Sequence, residues 1–340
     1  MRLAVAAALV AVTSATPRAA SAASSHEFEG LHSVARARGT ETPDAVRDDD
    51  AFLTRLADHI ASGGPPKDGI PAIEEPRYTS AADADQWLLP EDVVFGVDYG
   101  GLVAAYPRRI VVWHEIVNET IDGEPVSITY CPLTGTAIGF KGRVTPEVPT
   151  TFGVSGKLVN SNLIMYDRAT DSLWPQIFGT AIAGSLRAQR LQEFRVVWTT
   201  WEKWRKEHPA TKVLSRDTGF IRDYGRNGDP YGSYLDGKQG YYASKRVIFE
   251  PIAEDGRLHP KDVVVGIRDR AGNAAAILKK RLRKEHRMEI RLGESTVVVT
   301  YDPSLDFQSA VFKDSGEPIN AIDAMWFAWY GFYPDTQLLR

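Results

Sequence analysis

One cysteine, Cys131, and four methionines are all the sulfur that 340 residues carry. A single thiol cannot close a disulfide within its own chain, so Cys131 is left as an inert core residue, a metal ligand, a reactive group or a link to another molecule. Long apolar runs are missing too. Leu3 to Val12 is apolar for ten residues, well short of the roughly 20 that a helix needs to cross a bilayer, and no later stretch comes closer, so no membrane span is expected. Charge of one sign is also absent: the formal net charge of -4 is spread over mixed-sign sequence. That leaves no basic field to gather phosphate backbones and excludes nucleic acid as a partner class. The local run Arg281, Arg283 and Lys284 reads as a solvated edge.

What is present is the composition of an ordinary globular protein, 43% hydrophobic and 25% charged, enough to bury a sizeable core. Arg2, the apolar run and Ala20-Ser21-Ala22 read as a signal peptide over residues 1–22, which predicts a secreted or periplasmic protein. Residues 23–85 read as a connector with one helix from Asp48 to Ser62, opened by aspartates and closed by Gly63-Gly64-Pro65-Pro66. His59 at the end of that helix reads as structural. Strands follow. Asp98-Tyr99-Gly100-Gly101 and Asp122-Gly123 mark two hairpins, and the alternation of Val126, Ile128 and Tyr130 leads into Cys131-Pro132. Thr199 and Glu202 form a capping-box pattern before a short helix that Pro209 ends. Trp198, Trp201 and Trp204 read as a core stripe. Phe220 to Tyr242, rich in Gly and Tyr, reads as a long ordered loop of the kind that covers a site.

The script then repeats. Asp92-Val93-Val94-Phe95-Gly96-Val97 matches Asp262-Val263-Val264-Val265-Gly266-Ile267, 170 residues on, and Thr129-Tyr130-Cys131-Pro132 matches Thr300-Tyr301-Asp302-Pro303, 171 residues on. Two related β-rich lobes from an internal duplication are therefore expected, at 86–215 and 216–340, in a mainly β (α+β) fold with a few short helices. Positions that agree between the copies serve turns and packing. Positions that differ carry chemistry, and Cys131 stands opposite Asp302. His114-Glu115 stands against Glu285-His286, read as shifted by one residue.

Lys67-Asp68-Gly69-Ile70-Pro71, Trp113-His114-Glu115-Ile116-Val117-Asn118, Tyr130-Cys131-Pro132-Leu133-Thr134-Gly135, Phe152-Gly153-Val154-Ser155-Gly156, Met165-Tyr166-Asp167-Arg168 and Trp326-Phe327-Ala328-Trp329 together resemble the bacterial and archaeal family known as domain of unknown function 3179. The resemblance spans about Lys67 to Asp335. It implies membership and brings no catalytic residues with it.

Three readings of the site follow from the residues. In the first, Cys131, His114 and Met165 supply thiolate, imidazole and thioether to a soft metal, copper. In the second, Cys131 is a reactive thiol of an oxidoreductase, with the Thr134 hydroxyl three residues on as a donor to the thiolate and His114 or Arg168 lowering its pKa. In the third, the protein is a non-enzymatic small-ligand-binding module. Asn160, Asn162, Arg168, Trp174 and the tyrosine-rich loop would then line a pocket, with Cys131 a structural core residue. Ser155 lacks the nucleophile-elbow pattern by one position. Asn118-Glu119-Thr120 is a formal glycosylation sequon.

Overall fold

Two-residue turns at Gly100-Gly101 and Asp122-Gly123, all four residues in left-handed backbone, fold the first strands into antiparallel hairpins. The computed structural model describes residues 50–145, 147–225, 228–231 and 240–340. The signal peptide read over 1–22, the start of the connector and part of the tyrosine-rich loop lie outside the described residues.

The chain begins with α1 (Asp50–Asp58), β1 (Ala61–Ser62), β2 (Tyr78–Ser80) and α2 (Ala81–Ala84). The first lobe continues with β3 (Val93–Tyr99), β4 (Leu102–Pro107), α3 (Arg108–Val111), β5 (Ile116–Ile121), β6 (Glu124–Cys131) and β7 (Thr136–Lys141). An insertion follows, with β8 (Arg143–Thr145), β9 (Val148–Pro149), β10 (Phe152–Val159), β11 (Asn162–Asp167) and β12 (Leu173–Pro175). The lobe then closes with β13 (Glu193–Phe194), β14 (Val197–Thr200), α4 (Trp201–Glu207) and β15 (Lys212–Leu214). After α5 (Gly240–Ala243) come β16 (Val263–Arg268), β17 (Ala274–Leu278), α6 (Lys279–Glu285), β18 (Arg287–Leu292), β19 (Ser295–Asp302) and β20 (Phe307–Phe312). The chain ends with β21 (Pro318–Ile319), β22 (Ala321–Met325), α7 (Trp326–Phe332) and β23 (Gln337–Leu339).

The protein is mainly β with short helices, and its sheets pair in a matching way. In the first lobe the sheets run β14-β3-β4-β15-β2 and β13-β7-β6-β5; in the second they run β22-β16-β17-β23 and β21-β20-β19-β18. Each lobe has one parallel pair in the same place, β4 with β15 and β17 with β23. Ala104 to Ala275 is 171 residues, whereas Lys212 to Gln337 is 125. The difference, 46 residues (171 less 125), is the insertion, whose β10, β11 and β12 form a further sheet that β1 extends at its edge.

Packing matches as well. Gly96 lies under the Trp204 ring and Gly266 under the Trp329 ring, so close that a Cβ at either would sit 2.2 Å from a ring carbon. The indole N–H groups donate to Thr211 and Thr336 at 2.9 and 3.0 Å. Alternation along β3 sends Phe95 and Val97 into one core and Val94 into another, against Trp201 and Trp204. Along β16, Val265 and Ile267 face the second lobe's core, while Val264 joins Trp326 and Trp329 in the largest cluster. That cluster also holds Cys131, Met165 and most of the insertion's apolar side chains.

Local expectations change in four places. The first helix ends at Asp58, because Ala61–Ser62 pairs with Leu158 and Lys157 at a sheet edge. Tyr78–Ser80, within the connector, adds a strand to the first lobe by pairing with β15. The run from Ile110 to Asn118, which places His114 in a strand by sequence, divides into α3, a turn and β5; Pro107, at φ -61° and ψ 126°, sets the entry to that helical turn. The capping box does not form. Thr199 is held in β14 opposite Val94, so the N-cap falls on Thr200, which makes no side-chain cap bond.

Candidate functional site

Cys131 ends β6, paired across the hairpin with Thr136, and Gly135 closes the turn in left-handed backbone with its N–H on the Cys131 carbonyl at 3.0 Å. The second lobe makes the same turn with Asp302 paired to Phe307 and Asp306 in the left-handed position. The sulfur is 1% exposed. The Leu163 N–H donates to it at 3.3 Å, and Thr134 lies in the hairpin turn that Cys131 opens. Its own proton points toward the Ser161 carbonyl at 3.7 Å. Burial pushes the thiol up to about 11, the Glu115 carboxyl pushes in the same direction, and Thr134 and the Leu163 N–H oppose both.

Glu115 sits at φ 59° and is 7% exposed. Among the described residues its carboxyl makes no hydrogen bond and no ion pair, and burial alone pushes it up to about 8. A carboxylic acid placed this way is mostly protonated at neutral pH. Tyr231 and Tyr241 pack against the apolar cluster that holds Cys131. Burial raises both phenols, with the charges of Glu115 and Cys131 adding to the first and that of Cys131 to the second. The Tyr241 hydroxyl donates to the Leu133 carbonyl at 3.0 Å, and Lys261 lies 3.5 Å from the centre of its ring. Burial brings that amine down to about 8.

His114 is fully engaged elsewhere. Nδ1 donates to the Pro71 carbonyl at 2.7 Å, and Nε2 lies 2.6 Å from the Tyr224 hydroxyl. A carbonyl only accepts, so Nδ1 carries the proton and Nε2 accepts from Tyr224, leaving no lone pair for an ion. Burial lowers its pKa first, opposed by the Pro71 bond. Met165 shares the apolar cluster of Cys131 and is fully buried. Among the described residues no group of three or more His, Cys, Asp or Glu side chains is placed to hold an ion. The structure thus brings Cys131 and Thr134 together and leaves His114 in a different set of contacts.

Three of the four residues read as pocket lining are committed to internal bonds, and the fourth, Asn160, bonds through its amide oxygen while its buried Nδ2 has no partner among the described residues. Asn160 and Ser161, at φ 53° and 58°, are the two turn residues of the β10–β11 hairpin; Asn160 accepts from the Ile252 N–H at 2.8 Å. Asn162 donates to Thr134 and Gln176 and accepts from the Ile177 N–H. Arg168 bonds the Tyr166 hydroxyl and pairs with Glu74 at 2.6 Å. Trp174 is buried with its N–H on Asp167. Asn118 of the sequon is 1% exposed and bonded to Glu74 and Phe152, so it is closed to a glycan.

A family model described as "Protein of unknown function (DUF3179)" matches residues 67–336. The chain belongs to this family. No curated protein and no solved structure matches it. The matched region of this DUF3179 chain contains the first lobe, the second lobe apart from β23, and the whole Cys131 surround. Sequence reasoning passed over Glu115, Thr136 and Gln176. The signal for Thr136 lay in the repeat, where Thr134-Gly135-Thr136 faces Leu305-Asp306-Phe307. Glu115 was findable as the one acid inside an apolar run. Gln176 lies in the insertion, which has no counterpart for comparison.

Proposed function

We propose that the chain is an exported thiol protein in which Cys131 exchanges with a small disulfide and Glu115 handles the proton. The thiol proton passes to the Glu115 carboxylate, the sulfur attacks one sulfur of the small disulfide, and the S–S bond breaks. Glu115 then returns the proton to the departing thiolate. Cys131 ends oxidised as a mixed disulfide and half of the small disulfide leaves reduced. A second small thiol resolves the mixed disulfide, since the chain has no other cysteine.

The observation that carries this reading is a buried sulfur that accepts from the Leu163 N–H and feels the charge of a buried carboxyl with no hydrogen-bond or ion-pair partner among the described residues. The thiol lies above the carboxyl, so the transfer is uphill, and it is eased because Glu115, once protonated, no longer repels the thiolate. We read the matching order of the two lobes as an internal duplication in which only the first copy kept the chemistry: Asp302 and His286, at the positions of Cys131 and Glu115, are both exposed.

The test is a chromogenic aromatic disulfide added to the folded full chain. One equivalent of thiol product per native chain, and none from Cys131→Ser, supports exchange. A thiol that is inert in the folded protein and reacts only after unfolding in urea overturns it and leaves the binding module, the reading that the 1% exposure of Cys131 favours.

A further inference from the structure

Behind Cys131 lies a closed network of buried amides and hydroxyls whose protons can be counted. The Gln176 amide N–H groups donate to the Thr129 hydroxyl at 2.9 Å and to the Thr136 carbonyl at 3.2 Å. That fixes the amide's orientation, because a carbonyl cannot donate. The Gln176 carbonyl oxygen therefore accepts, and the Thr136 hydroxyl gives it its only proton. Asn162 is fixed by the Ile177 N–H on its oxygen at 2.8 Å, so its N–H groups go to the Thr134 hydroxyl and to Gln176, both at 3.1 Å.

Thr134 is then left with one proton and two acceptors. The Thr136 hydroxyl is 2.9 Å away with its own proton already committed; the other is the Cys131 sulfur, which shares the hairpin turn with Thr134 and accepts from Leu163, the neighbour of the Asn162 that bonds Thr134. We propose that the Thr134 hydroxyl is a two-position donor, resting on Thr136 while Cys131 is a thiol and turning to the sulfur when it ionises, with Thr136, oriented by Gln176, as the positioning residue. An anionic sulfur is the stronger acceptor, so ionisation itself selects the second position. The arrangement is confined to the first lobe. Leu305 and Phe307 take the places of Thr134 and Thr136 in the second, and Asn162 and Gln176 belong to the insertion. This inference deepens the exchange reading of the same site.

Its consequence is a pair of opposite shifts. Thr134→Val removes the donor and moves ionisation of Cys131 to higher pH, lowering the thiolate fraction at a given alkaline pH about tenfold. Thr136→Val removes the resting acceptor, so Thr134 no longer gives up a bond on turning; ionisation moves to lower pH and the thiolate fraction rises several-fold. Thr136→Ser keeps the hydroxyl and restores the wild-type titration. The titratable groups facing the sulfur, Glu115, Tyr231 and Tyr241, are unchanged in all three.

The readout is the Cβ resonance of Cys131 against pH in full-length, cysteine-labelled protein, where the single cysteine gives a single signal. Thr136→Ala serves as a second hydroxyl-free variant if the valine chain does not fold. Opposite shifts for Thr134→Val and the Thr136 variants, with rescue by serine, are expected. Shifts of the same sign, or none, overturn the inference. Because the titration needs no exchange reaction, failure of the exchange reading leaves this result independent, and a failed titration leaves exchange standing.

Discussion

Glu115 and His286 hold one backbone position in two lobes. Both are in left-handed backbone, at φ 59° and 61°, and each carbonyl accepts from the N–H of a tyrosine, Tyr130 at 2.7 Å and Tyr301 at 2.8 Å. The one-residue shift read from sequence at this point is absent: Glu115 and His286 are 171 residues apart, the same as Tyr130 and Tyr301. The side chains diverge completely, one buried and one exposed.

Burial of Glu115 makes folding sensitive to pH in a defined direction. Its ordinary value of 4.5 rises to about 8 in the folded chain, so the folded state binds the proton more tightly than the unfolded one. The associated stability is complete below about pH 4.5 and is lost as pH rises through about 8. Denaturant midpoints compared for wild type and Glu115→Gln should diverge over that window, with the glutamine variant gaining several kcal/mol relative to wild type by pH 8.5. Parallel pH profiles would remove the buried-acid assignment.

The glycine–tryptophan contacts give a structural test. Gly96→Ala and Gly266→Ala each drive a methyl into a rigid, buried indole ring at 2.2 Å, and each should lower stability by about 2–3 kcal/mol. Urea unfolding followed by tryptophan fluorescence reads the loss. Neutral behaviour at both positions would mean that the rings do not sit on the glycines.

Lys279 and Asp323 form an ion pair in the second lobe with side chains only 7% and 5% exposed, and Gln308 adds a bond to Asp323 at 3.0 Å. Asp323→Asn leaves a buried ammonium without its charge partner and should cost about 3–5 kcal/mol. The double change Lys279→Met with Asp323→Leu should cost less than that single one. A double variant less stable than Asp323→Asn would contradict the assigned burial.

Much of this fold is legible in the chain, because its signals are local or internal to the repeat. Gly100-Gly101 and Asp122-Gly123 mark hairpins through backbone freedom, and the 170- and 171-residue spacings give the matching strands. His114 misleads because an apolar run does not distinguish a strand from a helical turn, and only tertiary bonds to Pro71 and Tyr224 fix its role. Asn160 and Asn162 misleadingly suggest a pocket: polar residues in sequence look alike whether they face a ligand or satisfy a buried turn. Gln176 is illegible for a related reason, since its partners Thr129, Thr136 and Asn162 meet it only through the fold.

The role of Glu115 as proton acceptor is tested most directly by the rate of disulfide exchange at pH 8 in wild type and Glu115→Gln. A base at this position predicts a rate at least about 100-fold lower in the glutamine variant. An equal or faster rate, as expected if Glu115 acts on the thiol only as a repelling charge, would contradict it.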